Sequence, residues 1–291
     1  MLTDSQKIEI VKRYKEGESG VELSRVFGIT PSGILGILRR RKIELRPRGN
    51  RRKHTFEQTI FNEVSSPDKA YWLGFLLGDG SVSERSVRVE LSEIDVDHLE
   101  KLESFMKADC PISRSRKKCV RVSFNSTTLV NSVAKYGLIP NKTDIVVTPN
   151  LPANLLSHFY RGILDSDGWV ILHRSKRQKD FGEFGFSSAN IKFLEEIQKW
   201  VSVQLGRKVG YIKERKRKNQ RCCQLIFGGN RLFISLFEIF YKDAGTYLDR
   251  KFLKATDIKC RILGYIDGRS TRKSHLRDFN GRFRKNEIAC S

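Results

Sequence analysis

The strongest constraint on what this chain can fold into is a repeat. The segment Trp72-Leu73-Gly74-Phe75-Leu76-Leu77-Gly78-Asp79-Gly80 is answered by Tyr160-Arg161-Gly162-Ile163-Leu164-Asp165-Ser166-Asp167-Gly168, which places Asp79 and Asp167 88 residues apart. The surrounding patterns repeat as well. The first copy reads as helix (68–78), strand pair (81–83 and 86–92), helix (95–107), strand pair (112–116 and 119–125) and helix (127–136). The second reads as helix (155–166), strand pair (169–173 and 181–187), helix (190–205), strand pair (208–215 and 221–227) and helix (231–241). Two such units predict a pseudo-symmetric α+β protein with two four-stranded antiparallel sheets.

On the first helix of each unit, Ala70, Gly74 and Gly78, and likewise His158, Gly162 and Ser166, recur every four residues and share one face. Small residues there let two helix backbones pack closely. The helices then end side by side, each followed by an aspartate and a glycine. Terminal carbonyls carry the negative end of the helix dipole, so a cation is favoured where the carboxylates already point. An Asp-Gly pair is also a common turn. Because Asp79 and Asp167 occupy equivalent places in a duplicated unit of a basic chain, they are read as metal ligands, forming paired Mg²⁺ sites.

Composition narrows the partners. The 291 residues carry 55 Lys plus Arg against 33 Asp plus Glu, a net charge of +22, so the chain seeks polyanions. A hydrophobic content of 39% with 10% aromatics is enough for real cores, which excludes wholesale disorder. No run approaches the length of a membrane span, and residues 1–10 lack the apolar region of a secretory signal. The expectation is an intracellular monomer, in cytoplasm or nucleoid, with no membrane partner. Six cysteines without a CxxC pair are read as reduced thiols.

Residues 1–45 read as three short helices, with Thr30 as N-cap, Pro31 at the first helical position, and Leu23, Phe27, Ile29, Ile34, Ile37 and Leu38 as a small core. The spacing of Leu23, Phe27, Ile29 and Ile34 resembles the helix-turn-helix of resolvases and small bacterial regulators. That resemblance places Ser32, Gly33, Gly36 and Arg40 on or near the groove-facing side; a helical hairpin packed on the main domain is the bland alternative. Residues 46–67 are expected to be a basic linker. Nine basic residues fall between Arg39 and Lys53 against the single acid Glu44, and Arg48 and Arg51 are its candidate phosphate contacts.

The paired motifs resemble those of single-chain LAGLIDADG homing endonucleases, over about residues 68–258, with repeats expected at 68–150 and 151–263 and an irregular basic tail at 264–291. The resemblance implies Mg²⁺-dependent hydrolysis of both strands of a long, asymmetric double-stranded DNA target across the minor groove, leaving short 3′ overhangs, with Mn²⁺ a plausible substitute. It implies that Asp79 and Asp167 hold the metals with help from the Gly78 and Ser166 carbonyls. It also implies a catalytic lysine after the last helix of each repeat, Lys142 and Lys251 here, with Lys254 or Arg250 as alternatives to Lys251, where a lone lysine is otherwise ordinary surface. The sequence departs from the family at Leu77, where the second copy has Asp165; that position is expected to serve packing or capping.

Strand alternation turns Val87, Val89, Leu91, Val120, Val122 and Phe124 toward the helices and leaves Arg88, Glu90, Ser92, Arg121, Ser123 and Asn125 outward, a saddle able to read base edges. The corresponding residues of the second copy are His173, Arg174, Glu183, Ser187 and Lys213, with Gly182, Gly185 and Cys222-Cys223 blurring the parity. Basic hairpin tips at Arg114, Arg116, Lys117 and Lys118, and at Lys213 and Arg215, are expected on phosphates. Two other readings share the scaffold, a non-catalytic DNA-binding regulator and an RNA-splicing maturase. Regulators of this kind tend to lose the metal-binding acids. An intein is disfavoured by the lack of a His-Asn junction at the end of the sequence.

Overall fold

The computed structural model describes residues 2–45, 54–115, 118–142, 145–174, 180–217 and 220–266. The chain divides into two compact units, Met1–Lys53 and His54–Ser291.

In the first unit, three helices, α1 (Asp4–Lys15), α2 (Gly20–Phe27) and α3 (Pro31–Arg40), form where their caps are strongest. Thr3 with Gln6 and Ser19 with Glu22 make reciprocal capping boxes, and the Thr30 hydroxyl accepts from the Gly33 N–H. Gly28 ends α2 at φ 64°, a left-handed conformation that a side chain disfavours. The axes of α2 and α3 bend by 105°, as a helix-turn-helix requires. Ile34, Ile37, Leu38 and Leu23 are core as expected, but Ile10 and Tyr14 of α1 complete it, while Phe27 and Ile29 are only partly buried against it.

The second unit contains the duplication. Its first half is α4 (Pro67–Asp79), β1 (Gly80–Val82), β2 (Ser86–Ser92), α5 (Val96–Phe105), β3 (Ser113–Arg114), β4 (Cys119–Asn125) and α6 (Thr127–Ala134). Its second half is α7 (Leu156–Asp167), β5 (Gly168–His173), β6 (Phe181–Ser188), α8 (Ile191–Gln204), β7 (Tyr211–Arg217), β8 (Gln220–Gly228) and α9 (Asn230–Tyr241), followed by α10 (Asp249–Ile266). The sheets are antiparallel with matching orders, β1-β2-β4-β3 and β5-β6-β8-β7. One continuous core runs beneath both, from Val87, Val122 and Phe124 through Phe75 and Phe159 to Phe184, Phe227 and Phe240.

Several elements differ from the sequence reading. Residues 54–67, expected as linker, belong to the second compact unit: Phe61 and Val64 are buried in the main core and Phe56 packs edge-on to Phe124, because these apolar side chains have a hydrophobic face to join, and residues 46–53 lie outside the described residues. Residues 267–291 lie outside the described residues, but residues 264–266, expected at the start of an irregular tail, are helical, since α10 continues to Ile266. Leu248, Lys251, Ala255, Ile258 and Ile262 are its buried stripe, at a spacing that alternates three and four. Strand β7 starts at Tyr211 instead of residue 208, because Gly210 at φ 72° breaks the extended backbone. The five described cysteines form no disulfide among the described residues, and no single described helix is long and apolar enough to cross a membrane.

Candidate functional site

Helices α4 and α7 lie against each other at backbone distance. A Cβ built on Gly74 would fall 2.1 Å from the Phe159 carbonyl oxygen, and one on Gly162 would fall 2.1 Å from that of Tyr71. At the end of the seam a Cβ on Gly78 would fall 1.9 Å from Ser166 Oγ and 3.0 Å from Asp167 Oδ2. The glycines are therefore required by close approach, and they bring the ends of both helices together. Asp79 and Asp167 are the last helical residues, one position later than expected, and Gly80 and Gly168 start the strands that leave the site. Gly80 has an ordinary extended φ; it is glycine because a Cβ would meet the Leu76 carbonyl oxygen at 2.3 Å.

The two aspartates share one partly desolvated place. Burial, and then the charge of Asp167, pushes the Asp79 carboxyl up to about 6. Burial raises Asp167 as well, opposed by Lys142 and then Lys251. Two carboxylates held together with their affinity for protons raised are a hard-oxygen donor set, and Mg²⁺ is commonly bound by one or two carboxylates with the rest of its shell from water and substrate phosphates. The donors present fit that ion. Among the described residues no group of three or more His, Cys, Asp or Glu side chains could hold a metal, so the pair with neighbouring carbonyls is the available donor set.

Both predicted lysines reach this place, by unequal routes. Lys142 Nζ donates to the carbonyls of Gly78 (3.4 Å) and Gly80, and burial lowers its pKa against the pull of Asp167 and Asp79. Lys251, in the first turn of α10, is buried and donates to the carbonyls of Leu164 (2.8 Å), Asp165 (2.7 Å), Ser166 (3.4 Å) and Gly168 (2.6 Å). It is thus a cationic cap on the negative end of α7 as much as a charge near the aspartates. Burial pushes its pKa down to about 8, opposed chiefly by Asp165.

Asp165 explains how α10 is held. Its Oδ2 accepts from Tyr71 Oη (2.8 Å) and from the Leu248 N–H (2.7 Å), and Tyr241 Oη approaches Oδ1 at 3.5 Å. Since the Tyr71 hydroxyl spends its proton on Asp165, His98 Nε2, 3.0 Å away, is the donor to Tyr71; burial lowers the His98 pKa to about 3, so the ring is neutral. Arg161 donates to the carbonyls of Thr246 (2.9 Å) and Phe240 (3.0 Å) and lies over the Tyr71 ring. Outside the core, Arg250 makes a two-pronged bond with Asp95 (3.1 and 3.0 Å), and Lys101 Nζ meets Asp249 at 2.6 Å. The segment 246–251 is thereby fastened across to the first repeat. The buried members of this network, Tyr71, His98, Arg161 and Tyr241, carry no sequence signal apart from the presence of Asp165 where the first copy has Leu77.

On the first sheet, Arg88, Glu90, Ser92, Arg121 and Asn125 are exposed and Ser123 half-buried, all on the face opposite the core. Register sets Glu90 across from Arg121 and Arg88 across from Ser123, with Arg88 Nε donating to Ser123 Oγ at 3.3 Å. Arg114 is exposed but ion-paired to Glu93 at 2.7 Å, and Lys118 occupies the hairpin turn at φ 57°. In the second repeat Lys213 and Arg215 are exposed on β7 and Arg174 is exposed just past β5, while His173 pairs with Glu183 at 3.0 Å. Ser32 and Arg40 are exposed on α3, where Arg40 Nε donates to the Gly36 carbonyl. Arg48, Arg51, Arg116 and Lys117 lie outside the described residues. The reading of the second sheet missed Trp169, Ile171, Tyr211 and Ile226 on its outward face, because Gly182 and Gly185 hide the alternation. A Cβ at Gly182 would strike Phe233 of the core, and one at Gly185 would strike the Trp169 ring on the other side.

The family model described as CENP-B N-terminal DNA-binding domain matches residues 1–46. No curated protein sequence matches the chain. Among solved structures, it is similar to the I-LtrWI LAGLIDADG homing endonuclease bound to target DNA, with 12% identity, TM-score 0.52, and coverage of 72% of this chain and 92% of that one. It is also similar to the meganuclease I-SmaMI bound to uncleavable DNA (15%, TM-score 0.50, 72% and 92%) and to the LAGLIDADG homing endonuclease I-GzeII with its DNA target (11%, TM-score 0.50, 70% and 92%). The main unit therefore has the α+β fold of the LAGLIDADG meganucleases, joined to an N-terminal module of helix-turn-helix type.

Proposed function

We propose that this chain is a site-specific double-strand DNA endonuclease, a homing endonuclease that hydrolyses phosphodiesters with Mg²⁺ at a long asymmetric target. The observation that carries the reading is the juxtaposition at the α4/α7 seam: two terminal aspartates from duplicated helices, Asp79 half-buried and Asp167 open to solvent, flanked by a lysine from each repeat. Its support from shape is the fold shared with DNA-bound endonucleases, and its support from charge is the net +22.

Asp79 and Asp167 would hold the metal, with the Gly78 and Ser166 carbonyls nearby. Bound there, Mg²⁺ supplies neutralisation of the charge that develops on the phosphate and makes a coordinated water more acidic. Lys142, the less buried of the two lysines, stands where it can stabilise the developing anion, and Lys251 fixes the end of α7 so that Asp167 keeps its place. The outward faces of the sheets, led by Arg88, Glu90, Ser92, Arg121, Ser123, Asn125, Lys213 and Arg215, grip the duplex; their different side chains suit a target without symmetry. Retention of both aspartates favours cleavage over a purely regulatory role.

The test is selection of cut sites from a genomic or randomised DNA library with Mg²⁺. A discrete selected sequence, cut by the wild type and bound uncut by Asp79→Asn and by Asp167→Asn, is the expected result. Cleavage by the double variant at the wild-type rate refutes the assignment.

A further inference from the structure

The outward face of the second sheet differs in kind from that of the first. Register sets Ile171, Glu183 and Gly228 in one row across β5, β6 and β8, and Trp169, Gly185, Ile226 and Tyr211 in the next. Lys213 and Arg215 lie farther along β7 on this face, but in these two rows rings and aliphatic chains surround a carboxylate. Gly228 contributes no side chain: a Cβ there would meet nothing closer than the Phe181 ring at 3.6 Å and Glu183 Oε2 at 4.0 Å. The result is a dent of about 460 Å³ walled by Phe181, Tyr211, Ile226 and Leu232, with Glu183 at its side.

Glu183 is held in place. Its Oε1 accepts from Trp169 Nε1 at 2.8 Å, and its Oε2 lies 3.0 Å from Nε2 of His173, whose ring stacks on Phe181 (centroids 4.7 Å apart, planes at 17°). Trp169 lies over Gly185, where a Cβ would sit 2.1 Å from the indole. A carboxylate has about four acceptor positions, so these two bonds leave capacity toward the dent.

We propose that this dent is a base-reading subsite in which Glu183 accepts a hydrogen bond from the exocyclic amine of a nucleobase, cytosine N4 or adenine N6. The inference rests on the DNA-cleaving reading given above. A carboxylate on a DNA-facing surface is repelled by phosphates, so the acceptor capacity that Trp169 and His173 leave on Glu183 is met on DNA by a donor at a base edge. In the major groove those donors are the amines of cytosine and adenine, whereas guanine and thymine present acceptors there. The apolar walls receive the rest of the base edge, and Gly228 leaves room for it. Arg88 and Arg121 on the first sheet suit guanine acceptors instead.

Binding selection from randomised duplexes with the full chain tests this. At one base pair of the half contacted by the second repeat, the wild type favours cytosine or adenine over guanine and thymine by about ten-fold; which amine it favours separates the two bases. Glu183→Gln, which keeps an acceptor for Trp169 but adds a donor, lowers that discrimination at least three-fold at this position alone. Gly228→Leu, which fills open space, abolishes it at the same position. Selected sequences unchanged by both variants overturn the subsite and leave the nuclease reading standing. Failure of the wild type to select any sequence overturns the nuclease reading, and the subsite with it.

Discussion

Substituting Gly74 by alanine tests the seam on which the site depends. The added Cβ would lie 2.1 Å from the Phe159 carbonyl oxygen and 3.3 Å from the Ile163 nitrogen, whereas real Cβ atoms do not approach within 3.0 Å of a heavy atom. Both obstacles are backbone of a packed helix, which no rotamer change can clear, so α4 and α7 must part by roughly 1 Å. Overpacking of this kind costs about 1–3 kcal/mol, and a gap of that size also forfeits a quarter to a half of the dispersion energy of the atoms along the seam, which places Gly74→Ala near the top of the range at ~3 kcal/mol. A displacement of about 1 Å between Asp79 and Asp167 should slow cleavage by roughly 100-fold. The control is Gly36→Ala in α3, where the nearest atom is the Arg40 guanidinium at 3.8 Å. There the same change raises the stability of the N-terminal unit by about 1 kcal/mol through helix propensity. Urea unfolding followed by circular dichroism, with plasmid cleavage under Mg²⁺, measures both. If Gly74→Ala unfolds within about 0.5 kcal/mol of the wild type and cuts at its rate, the close-packed seam is not what holds the aspartates together.

Four further outcomes are expected. Because the folded-state pKa of Asp79 is raised to about 6, the folded protein holds a proton that the unfolded chain has released, so this group's contribution to metal-free stability falls as pH rises from about 4 through about 6. Denaturant midpoints over that window should fall for the wild type and fall less for Asp79→Asn, in which the raised Asp165 and Asp167 carboxyls still act with the same sign. Lys251→Met removes the buried cation that caps the carbonyls at the end of α7 and should destabilise the main unit by about 2–4 kcal/mol, whereas Lys142→Met should cost stability less and show mainly in the single-turnover cleavage rate. Asp165→Leu, which copies the first repeat, leaves the Leu248 N–H and the Tyr71 hydroxyl without their acceptor and removes the charge that chiefly opposes the desolvation of Lys251, and should cost about 3–5 kcal/mol in urea unfolding; a neutral effect would refute its role in holding α10. Removing residues 1–53, a separate compact unit, should weaken DNA binding in a gel-shift titration and leave the cut position unmoved; a moved cut would show that this unit sets the register.

The duplication was legible because its cause is local. Gly74 and Gly78 on one helix and Gly162 and Ser166 on the other, each pair four residues apart, announce a backbone-close seam, and strict alternation in Ser86–Ser92 and Cys119–Asn125 announces which face of the first sheet is buried. What escaped was decided by tertiary context. Helix α10 has a clean apolar stripe, yet Lys251 sits in it, and a lysine in a stripe is read as an interruption unless one knows that four carbonyls await it. Residues 54–66 sound like linker because the basic run precedes them, while Phe61 and Val64 carry the opposite signal. In β6, glycines replace side chains on both faces, so period-two hydrophobicity vanishes although the strand and its register are regular.

The same burial that brings the aspartates together also sets what competes for them. Asp79, Asp165 and Asp167 are faced by Lys142, Lys251 and Arg161, three acids and three bases within one nucleus. Were that balance complete, neither terminal aspartate would have a raised pKa; both are raised, and for each the largest cause is burial. The lysines therefore compensate only part of the desolvation, their charge being spread over helix-end carbonyls that already hold Nζ by hydrogen bonds. The remainder is an unmet demand for positive charge at the carboxylate oxygens. A proton meets it below about pH 6 at Asp79, and any divalent ion held there has to displace that proton. Acidity and metal scarcity should accordingly act on the same atoms, and a lower pH should be offset by more metal up to the point at which Asp79 is deprotonated.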